Sequence, residues 1–291
     1  MTILERTRET PISIPPMPTI GRYLPSIPVR QDTDDESGKR VTLEEYWEYY
    51  YENGEHNYEY NNGYLEAKPL AKQIQAEMYG WVYRSLTQYL DVNPIARITT
   101  LEIGFKFRLP GKIQVRKPDL GIVRNDNPII LHDEDRNYKG KYDMCIEFVS
   151  DSNLSEIERD TKVKFREFQT IKVNEYFLFS DDTGIMRFYR MNKYGFYDEV
   201  KPDKHGVIRS KVLPGFQFRV SDLFEKPALI EMANDPVYQG FVLPEYQAEK
   251  QRAETERQRA ETERQRAETE WQRANKLASK LRELGIDPDS L

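Results

Sequence analysis

Asp143-Met144-Cys145-Ile146-Glu147-Phe148-Val149-Ser150 reads as a buried strand carrying one carboxylate near its centre. Upstream, Val115-Arg116-Lys117-Pro118-Asp119-Leu120-Gly121-Ile122-Val123 reads the same way, with Asp119 near its middle. An unpaired carboxylate is costly to bury, so two of them in successive apolar strands require a counter-charge. Alternation sets Asp119, Gly121 and Val123 on one face and Leu120 and Ile122 on the other. In the second strand Cys145, Glu147 and Val149 oppose Met144, Ile146 and Phe148. Neighbouring strands run about 4.8 Å apart, so facing carboxylates can share one Mg²⁺, which also answers their repulsion. The next segment, about Leu154 to Ile171, reads as a helix. Ile157, Thr161, Lys164, Phe165 and Phe168 share one stripe at spacings of three and four, while Lys162 and Arg166 point away. Lys164 therefore belongs beside the face that packs on the sheet, and Lys162 in solvent. Two carboxylates, a hard cation and a lysine are what polarising a phosphodiester requires. The plainer alternative makes Lys164 only an ion-pair partner of Asp119 or Glu147.

Elements upstream fit around this nucleus. Thr42-Leu43-Glu44-Glu45 is a capping box opening a helix that runs through Tyr46-Trp47-Glu48-Tyr49-Tyr50-Tyr51 and stops at Asn53-Gly54. Its aromatics read as core or interface in preference to a base-stacking surface. Tyr58-Glu59-Tyr60 and Tyr64-Leu65-Glu66-Ala67 flank Asn61-Asn62-Gly63, a hairpin signal. A helix from about Lys72 to Leu90 carries Ile74, Met78, Trp81, Val82, Leu86 and Tyr89 at helical spacing. A long strand should follow, with Leu101, Ile103, Phe105, Phe107 and Leu109 on one face and Glu102, Lys106 and Arg108 on the other. Leu109-Pro110-Gly111-Lys112 turns it into the Asp119 strand. Downstream, Glu175-Tyr176-Phe177-Leu178-Phe179-Ser180 reads as a strand and Met191-Asn192-Lys193-Tyr194-Gly195 as a hairpin turn. The domain ends near Leu213-Pro214-Gly215-Phe216-Gln217-Phe218 and Val220-Ser221-Asp222-Leu223-Phe224.

Composition bounds the function. With 291 residues, 38% hydrophobic and 32% charged, the chain supports one sizeable core with polar extensions. Met1 to Glu9 holds no apolar run of signal-peptide length, and no stretch approaches the roughly 20 apolar residues of a membrane span. One cysteine excludes an internal disulfide and fits a reducing cytoplasm. Three scattered histidines (His56, His132, His205) and one cysteine argue against zinc. A hydrolase with Cys145 as nucleophile lacks a histidine nearby in sequence. The net charge of −6 weighs against general nucleic-acid binding, although an acidic protein can carry a locally basic groove.

The ends differ from the middle. Residues 1–41 are Pro-rich and read as an extended arm, 42–235 as the folded domain, and 236–291 as a linker and charged helix. From Arg252 the segment RAETERQ repeats every seven residues, with Trp271 in place of the third Arg. Heptad phase puts Ala253, Ala260, Ala267, Ala274 and Leu281 at position a, with Glu256, Glu263, Glu270, Leu277 and Leu284 at d. An Ala/Glu seam makes a poor coiled coil until its last turns. The repeats read as a solvated helix held by charge pairs, and Leu277, Leu281 and Leu284 as a candidate self-association end.

Several of these segments, taken in order, resemble a known group. Tyr58-Glu59-Tyr60 with Asn62-Gly63, Lys117-Pro118-Asp119, Ile146-Glu147-Phe148-Val149-Ser150, Asp160 with Lys164 and Phe168, and Glu175-Tyr176-Phe177 match the order and spacing of the Uma-two family. That family groups endonuclease-like proteins of the PD-(D/E)XK superfamily. Leu213-Pro214-Gly215-Phe216 and a charged tail closing in Leu284-Gly285-Ile286-Asp287-Pro288 resemble the same group. The resemblance covers about residues 42–225 plus the tail. It implies an α/β, restriction-endonuclease-like core: a mixed central sheet flanked by helices, with the site at one sheet edge. It further implies Asp119 and Glu147 as ligands of Mg²⁺ or Mn²⁺, Lys164 as the catalytic lysine, and DNA as substrate. Glu59 matches the family's hairpin glutamate, and Glu77 is a rival for the superfamily's helical glutamate. Val149 stands where the superfamily's lysine usually sits, Lys72-Gln73 where the family often has histidine, and Ser150-Asp151-Ser152 lacks the usual proline. The sequence thus leads to a cytoplasmic metal-dependent endonuclease, with the core and the C-terminal heptad helix as the candidate surfaces for a homo-oligomer. The competing reading is a nuclease-fold interaction module without activity.

Overall fold

Asn62 and Gly63 both take positive φ, 46° and 97°, the left-handed pair that a two-residue type I′ hairpin requires. They join β1 (Tyr58–Asn61) to β2 (Tyr64–Ala67). The computed structural model describes residues 35–52, 56–68, 71–100, 103–149 and 154–285. The arm expected over most of residues 1–41, the Asn53-Gly54 stop, Leu101, Glu102, Ser150-Asp151-Ser152 and Ile286-Asp287-Pro288 lie outside these. Residues 1–36 and 37–291 are separate units, and every element below belongs to the second.

Two sheets carry the fold. Further strands are β3 (Ala96–Thr100), β4 (Phe105–Leu109), β5 (Lys112–Arg116), β6 (Leu120–Arg124), β7 (Met144–Phe148), β8 (Glu175–Phe179), β9 (Arg187–Met191) and β10 (Tyr197–Glu199). The smaller sheet has the order β2-β1-β5-β4, the larger β10-β9-β8-β7-β6-β3. The larger is antiparallel except for β7 and β8, which run parallel, so a helical crossover must join them. That crossover spans residues 154–170: an α-helical turn Leu154–Glu158, a π-helical stretch Arg159–Lys164, and α-helix Phe165–Thr170.

Alternation along the strands gives the large sheet two apolar faces. Leu120, Ile122, Met144, Ile146, Phe177 and Phe179 pack with Met78, Trp81, Val82, Leu86 and Tyr89 of the long helix Gln73–Val92. Val123, Cys145, Val149, Tyr176 and Leu178 form the opposite face with Phe168 of the crossover. Of the apolar stripe expected on the long helix, Ile74 alone is exposed, at 38%. The capped helix begins as its sequence indicates: Thr42 N–H donates to Glu45 Oε2 at 2.7 Å and Glu45 N–H to Thr42 Oγ1 at 3.1 Å. It then widens into a π turn, Tyr46–Tyr50. Tyr46 lies over the small sheet, its hydroxyl donating to Tyr58 O at 2.9 Å.

One expected strand is shorter than its sequence pattern, and another is divided. The strand expected from Leu101 to Leu109 starts at Phe105 within the described residues, and β3 before it joins the other sheet. Gly104 permits the crossing: a Cβ there would lie 2.9 Å from Lys117 Cγ and 3.1 Å from Arg116 O. The run Val115–Val123 is two strands, with Lys117-Pro118-Asp119 between them. Pro118 has no N–H to offer a ladder, so the chain leaves the small sheet at Arg116 and enters the large one at Leu120. Asp119 thus stands just before β6, a correction to its mid-strand placement.

Past β10 come β11 (Val207–Arg209) and β12 (Gln217–Arg219), then short helices Asp222–Glu225 and Leu229–Asn234. The segment expected as a linker from 236 is core at first: Tyr238, Phe241 and Val242 are buried against the long helix's cluster. The terminal helix Pro244–Glu283 buries no residue; Trp271 is 63%, Leu277 61% and Leu284 75% exposed. Among the described residues no helix is long and apolar enough to cross a membrane.

Candidate active site

β6 and β7 pair antiparallel, Leu120 opposite Ile146 and Gly121 opposite Cys145. One step along that register, Asp119 stands opposite Glu147. Directly opposed residues have Cβ atoms about 5 Å apart. Asp119 Oδ2 accepts the Phe148 N–H at 2.8 Å, which fixes this carboxylate beside Glu147. Both strands are interior to the large sheet, with β3 covering β6 and β8 covering β7. The site therefore lies at the strand ends, where the chain passes between sheets, and not at the sheet edge expected.

Lys164 is the centre of the cluster. Its Nζ lies 2.8 Å from Glu147 Oε1, 3.1 Å from Asp160 Oδ1 and 3.2 Å from Glu59 Oε1. Three carboxylates match the three protons of an ammonium. Lys162 points outward as its helical phase requires, paired with Glu158 at 2.7 Å and 62% exposed. Glu59, fully buried, accepts the Lys117 N–H at 2.8 Å and meets Arg116 at 3.1 Å. Arg116, also fully buried, reaches Glu66 and holds Glu167 through Nε at 2.8 Å. On the outer side Lys68 Nζ donates to Asp119 Oδ1 at 2.7 Å and to Lys117 O at 2.6 Å. Arg159 donates to Ala67 O at 3.0 Å and faces Asp160 at 3.4 Å.

Electrostatics divides two of the three acids around Lys164, Glu147 and Glu59. Burial pushes the Glu147 carboxyl up to about 8; Lys164 opposes this and the Asp119 charge adds to it. Burial also opposes ionisation of Glu59, but Lys164 and Arg116 outweigh it and hold that carboxyl below its ordinary range. For Lys164, burial works against the charge, and Asp160, Glu147 and Glu59 overcome it, so the ammonium persists well above neutral pH. Cys145 lies in the core with its thiol pushed up, by burial first and then by Glu147, which leaves no thiolate for a nucleophile.

Of the sequence candidates, the structure brings together Asp119, Glu147, Lys164 and Glu59. It does not bring Glu77, whose carboxylate accepts from Gln73 and pairs with Lys226 at 3.3 Å. Reading the sequence did not single out Lys68, Arg116, Arg159 or Glu167. Asp160 had a usable signal, its i,i+4 spacing to Lys164, and Glu167 lies next to Phe168 on the buried stripe. Lys68 had none, since its partner is 51 residues away.

The comparisons bear on this arrangement. A protein-family model described as "Putative restriction endonuclease", Uma2, matches residues 43–221. The chain belongs to the Uma2 family. The matched residues run from the capped helix past β12 and contain every member of the cluster. Four solved chains also match. One is the crystal structure titled as a putative nuclease belonging to DUF820 from Anabaena variabilis ATCC 29413. It shares 16% identity, covers 64% of this chain and 98% of its own, and superposes with a TM-score of 0.50. At that identity the likeness is one of fold, and it agrees with the mixed sheet and flanking helices of this Uma2 chain. No curated protein matches.

Among the described residues no group of three or more His, Cys, Asp or Glu side chains is gathered as a metal cage. The donors at Asp119 and Glu147 are instead two hard carboxylates without sulfur or imidazole. They suit Mg²⁺ or Mn²⁺, which take one or two carboxylates and complete their shell with water and substrate phosphate.

Proposed function

We propose that this protein is a metal-dependent endonuclease that hydrolyses phosphodiester bonds of DNA. The observation that carries the reading is the facing pair Asp119 and Glu147 at the ends of β6 and β7, with the Lys164 ammonium on Glu147 at 2.8 Å. Asp119 and Glu147 would hold Mg²⁺ or Mn²⁺, which when bound supplies a polarised phosphate and a more acidic water. Lys164 keeps its proton, so it acts as a fixed positive charge toward the developing phosphate charge and not as the base. Glu59 orients that ammonium and stays ionised, while Glu147, whose carboxyl burial pushes up, would release its proton to water on binding a cation. Membership of a family described as restriction endonucleases supports the same reaction class.

A second reading, an interaction module that keeps the fold without activity, draws on the net charge of −6. One experiment separates the two: incubation of supercoiled plasmid and single-stranded DNA with Mg²⁺ or Mn²⁺, alongside Asp119→Ala and Lys164→Ala. Cutting by the wild type that both variants lose, by at least about a hundredfold, supports the nuclease. Cutting that survives in both places the activity elsewhere. A folded wild type that neither cuts nor binds metal in calorimetry supports the module.

A further inference from the structure

Lys68 closes the outer side of the acid pair. Its ammonium lies between Asp119 Oδ1, at 2.7 Å, and the carbonyl of Lys117, at 2.6 Å. The side chains of Lys68 and Asp119 are only 10% and 13% exposed. Neighbouring lysines are committed elsewhere. Lys117 turns inward, with Nζ 2.9 Å from Asn57 Oδ1 and 4.3 Å from the centre of the Tyr51 ring. Lys72 stands 3.8 Å from Asp181. Among the described residues Asp119 thus meets a backbone amide on Oδ2 and the Lys68 ammonium on Oδ1. A cation bound by Asp119 must either displace that ammonium or sit beside it, and both cost free energy when water is largely excluded.

We propose that Lys68 is a positioning residue that occupies the cation's place on Asp119 and thereby sets the metal affinity of the site. The inference rests on the metal-dependent reading above. In the metal-free protein Lys68 neutralises Asp119 and holds it toward the β6 end. For a cation held by Asp119, the flexible lysine stem would let the ammonium leave Oδ1 while keeping its bond to the Lys117 carbonyl, still close enough to the site to meet a substrate phosphate. The site then stays weak for metal alone and strengthens when metal and phosphate arrive together, because the phosphate takes over as the lysine's counter-charge.

The test is calorimetric titration of the full chain with Mn²⁺ alone, comparing wild type, Lys68→Met and Lys68→Arg. Removing the ammonium should tighten Mn²⁺ binding by about tenfold or more, whereas Lys68→Arg should stay within about threefold of wild type. A lysine that merely props the loop predicts the opposite sign, since a loosened Asp119 binds metal more weakly. Unchanged or weaker binding in Lys68→Met, with normal unfolding of that variant, overturns the proposal and leaves the nuclease reading intact. If wild type and Lys68→Met both fail to bind Mn²⁺, the metal-dependent reading falls, and this inference with it. Cleavage adds a second readout: Lys68→Met should cut more slowly at saturating metal despite its tighter binding.

Discussion

Arg116 shows how much of this site is held by a residue that reaches Lys164 only through Glu59. Its guanidinium is fully buried and serves Glu59 and Glu167, both nearly inaccessible, as well as Glu66. Burying these charges is tolerable only because each finds its partner, and removing one partner leaves the others stranded. Arg116→Met should therefore lower stability by about 3–5 kcal/mol, read as a shift of the urea midpoint at constant slope. Arg116→Lys should rescue little, because one ammonium cannot replace the two-toothed contact with Glu167. Glu167 adds a pH dependence. Burial opposes its charge, but Arg116 and its hydrogen bonds hold the carboxyl below the ordinary value. A lowered carboxyl stabilises the fold fully above the unfolded value near 4.3, and that contribution is lost as pH falls through the folded value. Unfolding at a series of pH values should show a flatter acid limb for Glu167→Gln below about pH 5. An acid limb of unchanged slope would assign the loss to other carboxylates.

At the scale of elements, the six central residues of the larger sheet's face were legible because apolar alternation leaves little choice of register. Helical phase also separated Lys164 from Lys162, since burial on a sheet selects one stripe of the crossover. Two features were not legible. The run from Val115 to Val123 reads as one short strand, and only the adjacent charges Arg116-Lys117, followed by Pro118, hint at where one sheet hands the chain to the other. The π stretch Arg159–Lys164 has no residue signature either, yet it sets Asp160 and Lys164 together on the buried side. Such stretches recur at functional sites. Gly121 tests the handover. An added Cβ would lie 2.4 Å from the Tyr142 ring and 2.6 Å from Thr99 Oγ1, so Gly121→Ala must push β6 away from its cover. The expected cost is about 1–3 kcal/mol. Asp119 is two residues upstream, so on the proposed metal-dependent reading Mn²⁺ affinity by calorimetry should fall with it. Gly111→Ala, where nothing lies within 4 Å but φ is 76°, should lose stability through strain alone and keep metal affinity.

On the scale of the whole molecule, the chain divides by burial and not by repeat. Ending it after Gln251 removes, among the described residues, a stretch that buries no side chain, and should leave the thermal midpoint within about 2 °C of the full chain. Ending it after Asp235 strips Tyr238, Phe241 and Val242 from the core, each worth about 1.5–3 kcal/mol, and should abolish cooperative unfolding. The heptads were legible as a charged helix, whereas the aromatic anchor before it was hidden inside a stretch that reads as linker. At about 1.5 Å per residue the terminal helix extends some ~60 Å, with the charge pairs and glutamine contacts of its surface as its own support. One last property follows from the composition of β7. Its Cys145 is the chain's single cysteine and has no accessible surface. A thiol reagent in native buffer thus finds a target only when the central sheet parts, and the colour it develops keeps time for those openings. For the same reason, a cysteine engineered on the surface would take a fluorophore without competition, so distances from the site could be measured one at a time.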